Sequence, residues 1–457
     1  MKKMIIHLSD IITSQRMDVA YFIDKTGTST YVSLSKYVEI KGGKRIPKGK
    51  SFSPEKTNYL YLRLSEIDES GIINYDALKN ISEDLFNTLQ RYEVKNDQVV
   101  FSIAGTIGRV FVIKGIPSDK RIVLTENCVK IQPKTEQVLP DFISILLNCD
   151  FVQKQIERNK IQTTIPKIGL DRIAKLKIPE IPSLDYQKKI IAIYQNAQNE
   201  RLNKINEAKQ LLNSIGEYIL NALQVDGGKN SKKENCFRVS ISDVIGSRLD
   251  VSYYKDKFEM ASSKYDNTKL SNIVDIDPKI TFIGENADDV ISFIPMECID
   301  EKSGEIINRR EIAIEKSKGY TRFEENDLLW AKITPCMQNG KSAIARGLKN
   351  GVGCGSTEFY VIRPKDGNKV LIDYVYLILR HHDILFAAQT SFGGSAGQQR
   401  VPKQYLKSIT IPIPDISVQK EIVDTVYAIK AKAKQLQEKG NLLLEEAKLK
   451  IENIILG

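Results

Sequence analysis

The feature that most constrains the fold is a repeat at a fixed offset of 232 residues, which is close to half of the 457-residue chain. Internal repeats of about 20–50 residues form solenoids, so a period this long indicates a duplicated domain. Two related domains in one chain predict a pseudo-two-fold molecule that meets a two-part target. The matching segments are RMDVAYF from Arg16 and RLDVSYY from Arg248, Thr125-Glu126 and Thr357-Glu358, Leu139 with Asp141 and Leu371 with Asp373, and Gln187-Lys188 and Gln419-Lys420.

Charge and composition narrow the class of partner. The chain is 42% hydrophobic and 27% charged, which is typical of a globular protein long enough for about three domains. Its formal charge is +10 and its pI about 9.0. A basic protein is attracted to polyanions, so nucleic acid is the leading partner class. The alternative is that the lysine content only reflects the codon bias of the host.

Cysteine and histidine usage argues against several classes of site. The six cysteines show no CxxC spacing, and the first ten residues, MKKMIIHLSD, lack the apolar core of a signal peptide. No stretch approaches the roughly 18 apolar residues of a membrane span. We therefore expect a cytoplasmic protein with reduced thiols and no membrane contact. Three histidines are too few and too badly spaced for a zinc site, so no metal ligands are predicted.

Each half begins with a mixed segment of about 165 residues that contains short β-type runs separated by turn residues. One helix is predicted at Pro140–Ile156 and another at Leu371–Thr390. Each segment closes on a proline-rich strap, which should be an edge strand or an extended connector, because proline cannot donate to a sheet ladder. The straps are LKIPEIP from Leu176 and ITIPIP from Ile409, and the β-type runs are Gln98–Ile103, Cys128–Ile131, Leu328–Ile333 and Phe359–Ile362.

Each half ends in one long helix with heptad spacing of its apolar residues, so each helix expects a helical partner. A length of about 60 Å argues against a helix that lies only on its own domain. The simplest partner for each helix is the other, in an antiparallel coiled coil. The predicted seams are Ile205, Ala208, Leu212, Ile215, Ile219 and Ala222 in the first helix, and Ile422, Val426, Ile429, Ala433, Leu436, Gly440, Leu443 and Ala447 in the second.

The predicted fold is therefore α+β, with two mixed α/β domains in tandem and a long helix after each. A polar, glycine-containing linker begins at Val225. The predicted boundaries are 1–183 for the first mixed α/β domain, 184–224 for the central helix, 225–240 for the linker, 241–415 for the second mixed α/β domain and 416–457 for the C-terminal helix.

The sequence offers little support for catalysis. It contains no phosphate-binding GxxxxGK[ST] or GxGxxG motif, and no methyltransferase-like tetrapeptide or nuclease-like carboxylate cluster stands out. The repeated Glu126 and Glu358 are conceivable general bases. A Thr-Glu pair just before a strand more often braces a loop, and we predict that role for both. No catalytic residue is assigned.

Three loop types are candidate DNA contacts. The first is the glycine-rich basic segment KGGKRIPKGK from Lys41, whose lysines and backbone N–H groups suit a phosphate backbone. The others are a small-residue turn after a strand and a loop that precedes Pro166 and Pro402; Gln and Arg in such loops can contact base edges. A plain surface loop is the alternative for each. The candidate residues are Lys41, Lys44, Arg45, Lys48, Lys50, Thr106, Arg109, Thr163, Thr164, Lys167, Lys332, Thr334, Gln338, Lys341, Gln398, Gln399, Arg400 and Lys403.

In combination these features resemble the DNA specificity subunit of type I restriction–modification systems over almost the whole length. The resemblance rests on the order of the motifs and on their repetition, since no single motif is specific. The second half departs from it by lacking the basic Gly-Gly loop and by having Thr334-Pro335 in its turn. The motifs are GGKRIP from Gly42, GTIG from Gly105, the two straps, and the helix starts QKKI from Gln187 and QKEI from Gln419.

The resemblance implies a non-catalytic subunit that reads a bipartite, asymmetric DNA target with one half-site for each domain. It implies that the helices form a ruler and that the chain recruits two modification subunits, which methylate adenine, and restriction subunits. No cofactor is then expected on this chain, because S-adenosylmethionine, ATP and magnesium belong to those partners. Two other hypotheses are a coiled-coil interaction scaffold without a DNA role and a divergent DNA methyltransferase or nuclease.

Overall fold

The computed structural model describes residues 31–67, 73–161, 166–225, 260–280, 289–393 and 399–456. The chain forms two compact units, one made of residues 1–205 with 437–457 and the other of residues 206–436. Each unit therefore combines one globular segment with parts of both long helices. The repeated motif at Arg16 and Arg248 and residues 226–240 of the predicted linker lie outside the described residues.

The first unit is built on two four-stranded sheets. One has the spatial order β2-β9-β6-β7 and is antiparallel throughout, and the other has the order β4-β3-β8-β5 with β3 and β8 parallel. A third, two-stranded sheet pairs β1 with β10. The strands are β1 (Val32–Ser33), β2 (Val38–Gly42), β3 (Tyr59–Leu62), β4 (Lys79–Asn80), β5 (Glu93–Val94), β6 (Val99–Ser102), β7 (Val110–Val112), β8 (Arg121–Leu124), β9 (Cys128–Pro133) and β10 (Lys177–Ile178).

The described residues of this unit also form four short α-helices in its globular part, and these correct one prediction. The single helix predicted at Pro140–Ile156 is two helices, because Cys149 is extended and ends one while it begins the next. All residues from Phe142 to Leu147 are buried, so their spacing gives no period that would mark the end of the first helix. The helices are α1 (Glu83–Leu89), α2 (Pro140–Asn148), α3 (Asp150–Asn159) and α4 (Leu170–Ala174).

The second unit repeats this topology. Its sheets have the orders β12-β19-β16-β17 and β14-β13-β18-β15, with β13 and β18 parallel, and β11 pairs with β20. The strands are β11 (Asn267–Lys269), β12 (Val274–Ile276), β13 (Val290–Ile294), β14 (Arg310–Ala313), β15 (Thr321–Glu324), β16 (Leu328–Ala331), β17 (Ser342–Ile344), β18 (Val352–Gly355), β19 (Phe359–Pro364) and β20 (Thr410–Pro412).

The helices of the second unit repeat the correction. The helix predicted at Leu371–Thr390 is interrupted at Arg380 and His381, and His381 caps the second piece by accepting the Asp383 backbone N–H. The straps are extended edge strands as predicted, since β10 and β20 each pair with a single strand among the described residues. The helices are α6 (Leu270–Ile273), α7 (Ile372–Leu379), α8 (His382–Thr390) and α9 (Lys403–Ser408).

The two predicted long helices are confirmed, because α5 spans Leu184–Ala222 and α10 spans Ile416–Leu456. At 1.5 Å per residue each is about 60 Å long. In the first unit they run antiparallel, with Arg201 Nε donating to Asn441 Oδ1 (2.9 Å) and the Tyr186 hydroxyl to the Ile454 carbonyl (3.2 Å). No helix in the described part of the chain is long and apolar enough to cross a membrane.

The predicted helix seam is partly wrong in both helices. In α10 most of its residues are buried, but Leu444 is buried where the spacing predicts Leu443. In the second unit Ala208 packs with Ala433 and Leu436, as the spacing predicts. Leu212 is 39% exposed, and its neighbour Leu211 packs against this cluster instead. Both leucines keep heptad spacing between Ala208 and Ile215, so the pattern alone cannot choose between them.

Each globular core includes side chains from both long helices. In the first unit Ile190 of α5 and Ile451 of α10 belong to the same buried cluster as α2 and α3. In the second unit Ile219 of α5 and Val426 of α10 join the cluster of α7. Neither globular segment therefore completes its core with its own half of the repeat.

Candidate nucleic-acid interface

The root of the basic loop in the first unit is fixed by a close backbone approach. Gly43 donates its N–H to the Cys128 carbonyl and Lys44 donates to the Leu124 carbonyl, both at 2.9 Å. A Cβ at Gly43 would lie 1.9 Å from the Thr125 carbonyl oxygen, so only glycine fits there. The Gly-Gly pair thus carries the lysine-rich loop directly past the end of β8.

An ion pair braces this loop just after its root. Arg45 Nε donates to Glu126 Oε1 at 2.7 Å, although the Arg45 side chain is 83% exposed. The Tyr61 hydroxyl donates to the Lys44 carbonyl at 2.8 Å and lies 3.2 Å from Glu126 Oε2. Burial raises the pKa of Tyr61 to about 12, which keeps it a neutral donor. Partial burial opposes ionisation of Glu126, but hydrogen bonds from its own backbone, Arg45 and Thr125 hold its pKa below the ordinary value.

The second unit braces the equivalent glutamate from a different loop. Arg400 Nε and Nη2 donate to the two oxygens of Glu358 at 2.8 and 2.7 Å. The bonds from Arg400 lower the pKa of Glu358 against the opposing effect of its partial burial. Both repeated glutamates are thus ionised partners of an arginine, which supports the predicted bracing role over a general base.

An open groove of about 680 Å³ runs beside the basic loop in the first unit. Arg45, Lys48 and Lys50 line it from the loop, and Lys50 Nζ also lies 3.0 Å from Asp84 Oδ2. Lys44 and Lys48 are exposed, and Lys41 pairs with Glu39 at 2.9 Å. A positively charged, open groove of this kind suits a phosphate backbone.

Sequence reasoning missed three residues of this groove. Phe52 and Tyr61 form an edge-to-face pair with ring centroids 5.7 Å apart, and Arg63 lines the same groove. Phe52 is 37% exposed, which is unusual for a phenylalanine in a loop of charged residues. The sequence did contain one signal for this groove, namely an aromatic residue, Phe52, just after the lysine-rich segment.

Two of the predicted loop types meet in the first unit. The turn after β6 is closed by Ser102, whose hydroxyl donates to the Thr106 carbonyl at 2.5 Å and accepts the Arg109 N–H at 2.9 Å. Lys167 forms a β-bridge with Ala104 of this turn. Thr106 and Lys167 are exposed. Thr163 and Thr164, also predicted contacts, lie outside the described residues.

The same two loops meet in the second unit with other side chains. The Thr334 N–H donates to the Gln399 carbonyl at 3.0 Å, and Arg400 bridges Ile333. The Thr334 hydroxyl donates to Gln338 Oε1 at 2.7 Å. The predicted contact Gln398 lies outside the part of the chain that the structure describes.

Several predicted contacts have protein partners. Arg109 Nη2 donates to the Ile67 carbonyl at 3.1 Å, and Lys403 Nζ lies 2.8 Å from Asp277 Oδ2. The ammonium of Lys332 lies 5.1 Å from the centre of the Tyr360 ring, and Lys341 pairs through its backbone with Ala331. These interactions suit residues that hold the loops in place. Within the described ranges no group of three or more His, Cys, Asp or Glu residues could hold a metal ion.

Comparison with known proteins identifies the family of this chain. The model for the type I restriction modification DNA specificity domain matches residues 28–213 and 262–446. The EcoEI specificity subunit of a type I restriction enzyme from Escherichia coli is 34% identical over 209 residues, which are 45% of this chain and 34% of that protein. The aligned part thus spans about a third of that relative.

A longer alignment exists with the MjaX specificity subunit of Methanocaldococcus jannaschii, which is 23% identical over 415 residues, 88% of this chain and 87% of that protein. A solved structure from work on complex assembly and conformational transition of the type I R-M system has the same fold. Its TM-score is 0.51 at 14% identity, covering 93% of this chain and 96% of that chain. Since the family model matches both repeats, the chain belongs to the type I restriction–modification DNA specificity family.

Proposed function

We propose that this chain is the non-catalytic DNA-recognition subunit of a type I restriction–modification complex. One observation carries the proposal: each unit joins a turn after a strand to a second loop, and the side chains there differ between the units. Thr106 and Lys167 occupy the joined loops in the first unit, and Thr334, Gln338 and Gln399 occupy them in the second. A shared scaffold with different polar side chains is what two readers of different half-sites require.

The phosphate contacts are assigned to the exposed lysines. Lys44 and Lys48 belong to the basic loop, and Lys167 adjoins the turn of the same unit. Contacts of this kind supply affinity that falls with salt but carry little sequence information. Discrimination between bases then falls to Thr106, Gln338 and Gln399, whose hydroxyl and amide groups match base edges.

The target is proposed to be bipartite and asymmetric, with the long helices as the ruler between its half-sites. Their length of about 60 Å exceeds one turn of B-DNA, about 34–36 Å. The same helices are proposed to recruit two modification subunits, with restriction subunits joining the complex. S-adenosylmethionine, ATP and magnesium would be held by those partners in the cytoplasm.

The test is binding of the full chain to random-sequence duplex across a salt series. We expect the log–log slope of affinity against salt to weaken by up to about two in a Lys44→Gln/Lys48→Gln variant, since each lost phosphate contact removes about 0.9. The control is Lys188→Gln/Lys189→Gln, an equally charged change at two exposed residues of α5, which should leave the slope unchanged.

Other outcomes would point to the other hypotheses. A wild-type slope near zero would leave a coiled-coil scaffold without a DNA role. Methyl transfer or strand cleavage by the isolated chain would indicate an enzyme and overturn the proposal.

A further inference from the structure

In each unit a side chain binds a backbone carbonyl near the end of the turn that follows β6 or β16. The two carbonyls occupy equivalent positions. Gln153 Nε2 of α3 donates to the Gly108 carbonyl at 3.0 Å. Arg380 Nη1, directly after α7, donates to the Gly340 carbonyl. Gly108 and Gly340 are equivalent in the 232-residue repeat, whereas Gln153 and Arg380 are not: their repeat counterparts are Leu385 and Asn148.

We propose that Gln153 and Arg380 are positioning residues that set base preference, one for each half-site, without touching DNA themselves. The inference rests on the proposed function, because it assigns to these side chains the placement of the base-reading turn. Thr106 and Gln338 are also equivalent in the repeat, and each lies two residues before the anchored carbonyl.

The backbone at the anchor explains why a distant side chain is needed. Gly108 has φ +88° and Gly340 has φ +69°, a conformation that other residues rarely adopt. A Cβ at Gly108 would lie 2.8 Å from Gln153 Oε1, and one at Gly340 would lie 3.1 Å from Leu385 Cδ1. The turn therefore has no side chain of its own at this position, and a side chain from a neighbouring element binds its backbone.

Each donor links the turn to rigid neighbours. Gln153 Nε2 also donates to the Leu147 carbonyl at 2.7 Å, near the end of α2. Arg380 Nη2 donates to the Glu301 carbonyl at 2.8 Å, and Arg380 Nη1 lies 3.3 Å from the Ser342 carbonyl oxygen. The Arg380 guanidinium lies 5.5 Å from the centre of the Tyr376 ring. Arg380 thus fastens the turn to β17 and to the loop after β13.

The two anchors differ in what they offer. An amide gives two N–H donors, whereas a guanidinium gives five in a rigid fork. The turn of the second unit, which has Pro335 after Thr334, is longer than that of the first and has more carbonyls to satisfy. Different anchors at one carbonyl would let the two domains hold differently shaped turns on one scaffold. Recognition of bases by hydrogen bonds requires the contacting side chains to be placed to within about 0.5 Å. Loss of an anchor should therefore reduce the discrimination between bases.

The experiment selects bound duplexes from a library randomised in both half-sites, using the full chain. We expect Gln153→Glu to reduce discrimination at one half-site about tenfold, because a carboxylate cannot donate to the carbonyl, and to leave the other half-site unchanged. Arg380→Met should have the reciprocal effect, and Arg380→Lys should restore part of the preference.

Asn148→Asp is the matched control. Asn148 Nδ2 donates to the Val110 carbonyl of β7 at 3.0 Å, so the same amide-to-carboxylate change there breaks a bond outside the turn. This variant should keep both preferences. Affinity for random duplex and thermal unfolding are measured for every variant, and Gln153→Met replaces Gln153→Glu if the latter unfolds.

The outcomes separate the two proposals. Unchanged preferences in Gln153→Glu and Arg380→Met, or equal loss at both half-sites, would overturn the positioning role while leaving DNA recognition intact. A wild-type chain that selects no sequence would instead overturn the proposed function.

Discussion

At the scale of single residues, the repeated Gln-Lys pair turns out to be a structural joint. Gln187 is fully buried and accepts the Leu139 N–H at 2.9 Å, while its amide donates to the Gln137 and Pro182 carbonyls, both at 2.8 Å. The side chain thus ties the strap, the start of α2 and the first turn of α5 together. Gln419 makes the same three bonds, to the Leu371 N–H and to the Lys369 and Pro414 carbonyls.

This joint makes a prediction about stability. Gln187→Leu removes three hydrogen bonds to part-buried backbone groups. At about 1 kcal/mol for each bond, we expect the free energy of unfolding of the first unit to fall by about 3 kcal/mol. Hydrogen exchange should show faster opening of the first unit with the second unchanged. The control is Lys188→Leu, a change at an exposed neighbour in the same turn. Equal effects of the two substitutions would contradict the joint.

Some residue roles could be predicted from the sequence and others could not. The bracing role of Glu126 and Glu358 followed from their repetition before a strand. Their partners did not, because Arg45 lies 81 residues away in one unit and Arg400 lies 42 residues away in the other. Pairings across such separations depend on the sheet register, which short-range patterns do not contain.

At the scale of elements, long and strongly periodic segments were predictable and short breaks were not. The heptads recur over about five turns of α5 and about seven turns of α10, so a leucine misplaced by one position does not alter the prediction. The break at Cys149 leaves no such trace, because all the residues from Phe142 to Leu147 are buried. A helix that is apolar on every side gives no period from which its end could be read.

The C-terminal end of α10 is an element of the first unit, and this can be tested. Ile451 is fully buried in the core with α2 and α3, and the Glu452 carboxylate accepts the Asp150 and Phe151 N–H groups at 3.1 and 2.9 Å. Ile451→Ala should therefore lower the stability of the first unit by about 2–4 kcal/mol. Leu449→Ala, two residues earlier and 60% exposed, is the control and should change it little. Limited proteolysis of the full chain would report the difference, and similar digestion of the two variants would contradict it.

At the scale of the whole molecule, each compact unit depends on both halves of the chain. The first unit takes residues 437–457 from the end of the sequence, and the second takes residues 206–222 from the central helix. The repeat alone predicts two similar domains. The repeat does not predict that each core also contains side chains from the other half's long helix. That arrangement depends on which apolar helix faces pack together in the folded chain.

The last prediction tests the proposal that the long helices act as a ruler, and it concerns the gap between the proposed half-sites. Removing Ile205–Leu211 from α5 and Lys430–Leu436 from α10 deletes one heptad from each helix. The two segments are chosen as opposite because Ala208 packs against Ala433. A heptad is about 10.5 Å long, so the permitted gap should shrink by about three base pairs at about 3.4 Å each.

Selection from duplexes with fixed half-sites and a variable gap measures this directly. Since three base pairs also rotate one half-site by about a third of a turn on a repeat of about 10.5 base pairs, the shortened chain should bind the original gap poorly. The control deletes the heptad from α5 alone, which puts the two helices out of register and should weaken binding at every gap. Retention of the original gap at full affinity by the doubly shortened chain would show that the helices do not set the spacing.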